Sequence, residues 1–295
     1  MSKPTPAKGL IALLRLPYWL MTGGLSVLTA FAISLHPLSI SVQTLMLIFF
    51  SMAFITSAGF AINDYFDRES DALIKPKRPI PSGALSLKQV VAVSGILFAV
   101  GLIMAAYINL LSFAIIAIDC ALLLVYSILV KRKSGFAANV MIGILTGTAF
   151  LYGEATVSVP PTLSLISLSL YPIAFGTIGG NVLRDVLSLE GDSKVGYPTL
   201  PKKIGISGSV KAAAVFFTLT GVLAPLPIFI GNFNIYYLPL ILLWSALLIF
   251  SSVSLVTSSP TITNVRKYER IVTMSMILLP LALIVQAISR IWGGA

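Results

Sequence analysis

Apolar residues occupy this chain in long blocks separated by short polar joints. Nine blocks, at about 16–35, 41–63, 87–107, 110–130, 137–156, 162–183, 208–230, 235–256 and 271–291, are nearly free of charged side chains. An α-helix rises about 1.5 Å per residue, so each block is long enough to cross a hydrocarbon core roughly 30 Å thick. No polar stretch is long enough to fold on its own. The pattern predicts an all-α integral membrane protein, with nine transmembrane helices in a single domain over residues 1–295.

Composition agrees: 57% of residues are hydrophobic, 10% are charged, and mean hydropathy is +0.97. The basic residues set the expected orientation. Lys3, Lys8 and Arg15 lie before the first block, Arg68 to Lys88 between the second and third, and Lys131 to Lys133 between the fourth and fifth. Arg184 to Lys211 lie between the sixth and seventh, and Arg266 to Arg270 between the eighth and ninth. The opposite joints His36–Val42, Gly153–Thr162 and Gly231–Tyr236 carry no Lys or Arg. Thus 19 of the 20 basic residues share one face, and only Arg290 falls on the other. The positive-inside rule makes the basic face cytoplasmic in a multi-pass cell-membrane protein, with the N-terminus inside and the C-terminus outside.

Topology, with attraction to anionic headgroups or phosphorylated substrates, accounts for the net charge of +10 and the pI of 9.8. No basic-aromatic module calls for a nucleic-acid partner. No cleavable signal peptide is expected, because the first block is too long and no small-residue cleavage pattern follows it. The single Cys120 excludes an intrachain disulfide or a Cys-based metal cluster, and the single His36 lies on the non-cytoplasmic side. Carboxylates, Lys, Arg, Asn, Ser and Tyr must carry the chemistry.

Seven of the ten acids fall in two stretches, Asn63–Asp71 and Arg184–Asp192, each at the polar end of a long apolar block. Carboxylates are costly beside a membrane unless something positive neutralises them. If the second block stays helical to its end, successive residues turn by about 100°, and Asn63, Asp64, Asp67 and Asp71 share an arc of about 100° that excludes Glu69. In the second stretch Asn181, Asp185, Ser188 and Asp192 share an arc of roughly 60°, with Glu190 opposite. The spacing of Asp64, Asp67 and Asp71 is repeated by Asp185, Ser188 and Asp192, and each triplet precedes a basic, proline-containing loop, Lys75–Gly83 or Lys194–Lys203. Five clustered carboxylates, Asp64, Asp67, Asp71, Asp185 and Asp192, need a counter-charge. Mg²⁺ fits: it takes oxygen ligands and commonly joins a few carboxylates to substrate phosphates. Without Cys or His ligands, zinc and copper do not fit. The remaining phosphate oxygens suit nearby Arg68, Lys75, Arg78, Arg184 and Lys194. A third polar element, Tyr126 to Lys133 with Asn139 and Gly143, closes the fourth block and offers Lys131 and Arg132 as further diphosphate clamps.

These residues resemble the UbiA superfamily of intramembrane prenyltransferases. Asn63, Asp64, Asp67 and Asp71 match its first signature; Asp185 and Asp192 match its second, with Ser188 in place of a middle aspartate. The Tyr126-x-x-x-x-Lys131-Arg132 stretch with Asn139 and Gly143 also fits. The resemblance implies nine helices in a ring around a central cavity, capped by the two acidic loops and opening sideways into the bilayer. It implies an isoprenyl diphosphate bound with Mg²⁺, two ions if both motifs face one diphosphate, and ionised for transfer to a membrane-soluble acceptor. Asp64, Asp67, Asp185 and Lys131 are the implied catalytic groups. Asn63, Tyr126, Asn139, Asn181, Arg184 and Ser188 are implied in substrate binding. Arg15 is either an acceptor contact or a snorkelling interfacial residue.

Within the family, Asp71 to Gly83 and Gly191 to Pro201 look most like synthases that prenylate geranylgeranylglyceryl phosphate in archaeal ether-lipid synthesis. A 4-hydroxybenzoate polyprenyltransferase is the alternative. A secondary transporter would place ionisable groups near mid-bilayer on broken helices. Only Asp119 is central, where it is either functional or a hydrogen-bonded structural acid. Glu154 is expected at the outer interface, and Thr177–Gly180 to mark close helix packing.

Overall fold

The computed structural model describes residues 5–230 and 233–292. Nine helical spans within these residues are long and apolar enough to cross a membrane: Pro6–Ile33, Val42–Phe66, Leu87–Ile108, Leu110–Lys133, Gly135–Ala155, Leu165–Leu187, Leu200–Phe229, Ile235–Thr257 and Ile262–Trp292. Three begin earlier than their apolar blocks. Lys8 and Arg15 mask the start of the first span, Lys202 and Lys203 that of the seventh, and Arg266, Lys267, Glu269 and Arg270 that of the ninth. Arg266 to Arg270 therefore lie within the helix Ile262–Ser275, not in a connecting loop. Lys3, Gly231 and the C-terminal residues 293–295 lie outside the described residues.

Each span packs against the next, and the ninth packs against the first, which closes a ring. Lipid offers no hydrophobic drive between helices, so close contact and interhelical hydrogen bonds hold it. Ser51 Oγ meets Tyr152 OH at 2.5 Å, and Ser252 Oγ donates to the Ala214 carbonyl at 2.7 Å. A side chain at Gly179 would strike Phe217 at 2.7 Å, so the Thr177–Gly180 segment does mark close packing. Across the ring, Leu25–Ile33 packs against the fifth span. A Cβ at Gly153 would sit 2.6 Å from the Ser26 carbonyl oxygen, so the two helices meet there backbone to backbone. This crossing lies at the end of the ring remote from the acidic motifs.

Glu154, beside that crossing, is not interfacial. It is buried and accepts hydrogen bonds from Ser164 N at 2.9 Å, Ser164 Oγ at 2.5 Å and Ser167 Oγ. Ser164, at the entry of the sixth span, and Ser167, within it, satisfy it, which a headgroup-facing acid would not need. Asp119 is also buried, and its Oδ2 accepts from Thr148 Oγ1 at 2.7 Å.

The arcs expected of two unbroken helices are modified in the same way at both motifs. The second span ends at Phe66, Asp67 adopts φ −87° and ψ 0°, and a short helix Arg68–Ile74 follows. The sixth span ends at Leu187, Ser188 adopts φ −99° and ψ 3°, and a short helix Leu189–Val195 follows. The break falls on the middle residue of each triplet. It is shallow, since Asp71 N still bonds the Asp67 carbonyl at 2.8 Å and Asp192 N the Ser188 carbonyl at 3.0 Å. The two short helices touch and cap the ring.

Candidate functional site

The first span turns sharply at Arg15. Pro17 has no N–H to extend the helix, Tyr18 N bonds the Arg15 carbonyl instead, and the freed Leu14 carbonyl accepts from Ser57 Oγ at 2.7 Å and Trp19 Nε1 at 3.2 Å. Arg15 itself is left-handed, at φ 49° and ψ 52°, the one non-glycine residue with positive φ among those described. Such a backbone costs an L-residue roughly 1–2 kcal/mol. It lays the guanidinium over Phe60, 4.2 Å from the ring centre, and brings Nη2 to Asp64 Oδ1 at 2.7 Å. Arg15 therefore does not snorkel toward headgroups.

The other cations close on the first motif in turn. Arg78 Nη1 donates to Asp64 Oδ1 at 2.9 Å and to Asp71 Oδ2 at 2.5 Å. Lys131, reaching from the fourth span, pairs with Asp67 Oδ2, which also accepts from Asn63 Nδ2 at 2.9 Å. All three aspartates are buried. Each is paired with a cation, Arg78 being shared by Asp64 and Asp71, and among the described residues no three His, Cys, Asp or Glu side chains stand gathered for a metal ion.

The second motif is held differently. Asp185 Oδ2 accepts from Asn139 Nδ2 at 2.8 Å, and Asp192 Oδ2 accepts from Ser188 Oγ at 2.5 Å. Neither aspartate has an ion-pair partner among the described residues. Arg184 donates to Asn181 Oδ1 at 3.0 Å and lies 3.5 Å from Glu269 of the ninth span. Oxygen donors alone, two of them carboxylates without a cation, form a set suited to a hard divalent ion.

Tyr197 ties the halves together. Gly196 ends the second short helix at φ 80°, a backbone glycine adopts without strain, and returns the chain toward the first motif. The Tyr197 hydroxyl then donates to Asp67 Oδ1 at 3.0 Å and lies 2.7 Å from Ser70 Oγ. Burial pushes the Tyr197 phenol up to about 12, so it stays a neutral donor. Tyr126 lies in the last turns of the fourth span, on the same stretch as Lys131. Sequence reasoning missed Tyr197, Ser70 and Glu269; a glycine helix stop followed by Tyr-Pro was the available signal for the first.

Some expected residues stand apart. Arg68 turns to the Tyr65 carbonyl at 3.0 Å and to Glu69 at 3.2 Å, and Arg132 donates to the Phe66 carbonyl at 3.1 Å. Lys194 pairs 3.6 Å from Glu190 at the exposed surface. Glu69 and Glu190, outside the expected arcs, are both exposed. Lys75 lies on the loop after the first short helix, beside a cleft of 610 Å³ that Arg15, Tyr18, Asp64 and Arg78 also line.

Comparison with known proteins places these features in a family. Residues 23–279 match the model of the UbiA prenyltransferase family. The digeranylgeranylglyceryl phosphate synthase of Natronomonas pharaonis is 36% identical over 231 residues, 78% of this chain and 81% of that one. The synthase of the same name from Methanocaldococcus jannaschii is 34% identical over 244 residues, 82% of this chain and 84% of that one. A solved digeranylgeranylglyceryl phosphate synthase superposes with a TM-score of 0.81 at 29% identity, covering 96% of this chain and 99% of that one. A UbiA homologue from Archaeoglobus fulgidus bound to GPP and Mg²⁺ shares the fold, with a TM-score of 0.68 at 21% identity over 94% of this chain and 99% of that one.

Proposed function

The chain belongs to the UbiA prenyltransferase family, and from that premise we propose that it transfers a geranylgeranyl group from its diphosphate to geranylgeranylglyceryl phosphate in ether-lipid synthesis. The joining of both acidic motifs at Asp67 and Tyr197 carries this reading, because it gathers one polar site where the two short helices cap an apolar ring. The similarity to synthases acting on a glyceryl lipid favours that acceptor over 4-hydroxybenzoate. By the positive-inside rule, the site faces the cytoplasm.

Transfer requires the allylic C–O bond to break, leaving a prenyl cation and a diphosphate of increased charge; the acceptor's hydroxyl oxygen then bonds to the cation and its proton passes to the departing diphosphate. Lys131 and Arg78 stand where they can take up that charge, and Asn139 orients Asp185 toward the same space. Asp64, Asp67, Asp71, Asp185 and Asp192 are the residues that would hold Mg²⁺, two ions if each motif holds one. Bound Mg²⁺ would neutralise the leaving diphosphate. Entering phosphates compete for Arg15, Arg78 and Lys131, and so release the first three aspartates from their cations. An apolar, water-poor interior of the ring would protect the cation from hydrolysis.

The test is incubation of purified protein with Mg²⁺, geranylgeranyl diphosphate and each acceptor separately. Product from geranylgeranylglyceryl phosphate alone is expected. Product from 4-hydroxybenzoate alone would overturn the acceptor assignment, and no product from either would overturn the reaction.

A further inference from the structure

The 610 Å³ cleft lies to one side of the paired motifs, between the first span and the loop that follows the first short helix. Its walls are Ala12, Arg15 and Tyr18 on one side and Ile74 to Pro79 on the other, with Asp64 at the boundary with the motif site. None of the second motif's residues reaches it. Four cations, Arg15, Lys75, Lys77 and Arg78, face one lining carboxylate. Lys75 and Lys77 have no carboxylate partner among the described residues. The crowd of protein around Lys75, with the adjacent Arg78 charge, lowers its pKa from the usual lysine value.

We infer that this cleft holds the phosphate of the acceptor lipid, as a subsite that adjoins that of the donor diphosphate and shares Arg15 and Arg78 with it. The inference rests on the acceptor reading above. A phosphate monoester carries a charge of about −1.5 to −2 and three acceptor oxygens, enough to engage a guanidinium fork and two ammonium groups together. A benzoate carboxylate has one charge and would leave most of this basic lining unmatched. The remaining wall is apolar, from Ala12, Tyr18, Ile74, Pro76 and Pro79. On the same span, Leu10, Ile11, Leu20 and Met21 are exposed to the surroundings of the ring. A lipid lying along that span could leave its chain in the bilayer and seat its headgroup among the cations. The left-handed backbone of Arg15 acquires a use here, since it holds one guanidinium at the border of the two subsites. Asp64 is the shared wall, which sets the acceptor beside the reacting end of the donor.

The experiment compares the full-length chain in detergent with a Lys75→Gln/Lys77→Gln double variant. Binding of geranylgeranylglyceryl phosphate and of geranylgeranyl diphosphate is measured separately by calorimetry, and KM is measured for each. Loss of two charge-assisted contacts should weaken acceptor binding and raise its KM at least about tenfold, with donor values within about twofold. The phosphate-free acceptor geranylgeranylglycerol should bind the wild-type chain poorly and be indifferent to the double substitution. Equal weakening of the donor would assign the cleft to the diphosphate, and unchanged acceptor binding in an active variant would leave it without a ligand; either result overturns the inference alone. A wild-type chain that neither binds nor prenylates geranylgeranylglyceryl phosphate overturns both this inference and the acceptor reading.

Discussion

The Tyr197 hydroxyl donates to Asp67 Oδ1 at 3.0 Å across a separation of 130 residues. This bond holds the loop of one acidic motif against the carboxylate of the other. Tyr197→Phe removes it and leaves the ring and backbone in place. The expected outcome is a drop of about tenfold in kcat/KM, as one hydrogen bond to a charged group implies. A steady-state assay checks it, with circular dichroism confirming the fold.

Asp64→Ala, Asp67→Ala and Asp185→Ala should each abolish Mg²⁺-dependent prenyl transfer in a chain that remains folded in detergent. Asp64→Ala should also lower the melting temperature most, because it strands the part-buried Arg15 and leaves Arg78 with Asp71 alone. Full transfer activity in these variants would sink the assignment of the motifs to the metal and diphosphate.

At Ser188 the hydroxyl donates to Asp192 at 2.5 Å. Ser188→Asp replaces that donor with a second carboxylate, so the two acids repel unless a cation lies between them. The variant should unfold at a lower temperature than wild type without Mg²⁺ and recover on its addition, with transfer activity retained. A melting temperature indifferent to Mg²⁺ would place this position outside the metal site.

Arg15→Gly and Arg15→Ala both remove the charge beside Asp64, but only glycine accepts the left-handed backbone freely. Denaturant titration should find the glycine variant more stable by roughly 1 kcal/mol. Both should lose transfer activity to the same extent. Equal stability would mean that the first span straightens once the arginine is gone.

Glu154→Gln acts far from the chemistry. It removes the charge that three hydrogen bonds satisfy, and should cost about 2 kcal/mol of stability. Turnover at a temperature where the variant is folded should be unchanged.

The spans and the motifs were legible because each depends on local pattern: apolar length for a helix in lipid, and acids placed where an apolar block ends. The starts of the first, seventh and ninth spans were hidden because Arg15, Lys202 and Arg266 read as loop residues in a hydropathy window, whereas a helix can carry them on a polar side. The burial of Glu154 could not be read from its place near a span end, since Ser164 and Ser167 come from a separate turn of chain. The breaks at Asp67 and Ser188 and the reach of Tyr197 depend on two short helices meeting, a contact between distant segments that no periodicity encodes. Arg15 was recognisable as a charge at a span entrance, but its left-handed turn arises from Pro17 together with the waiting partners Ser57 and Asp64.

The crossing of Leu25–Ile33 over the fifth span at Gly153 ties distant parts of the ring together at the end away from the acidic motifs. The backbone contact there leaves no room for a side chain, so the two helices cannot part at that end without losing it. Exchange of substrate and product is therefore expected at the motif face or through the flank of the ring.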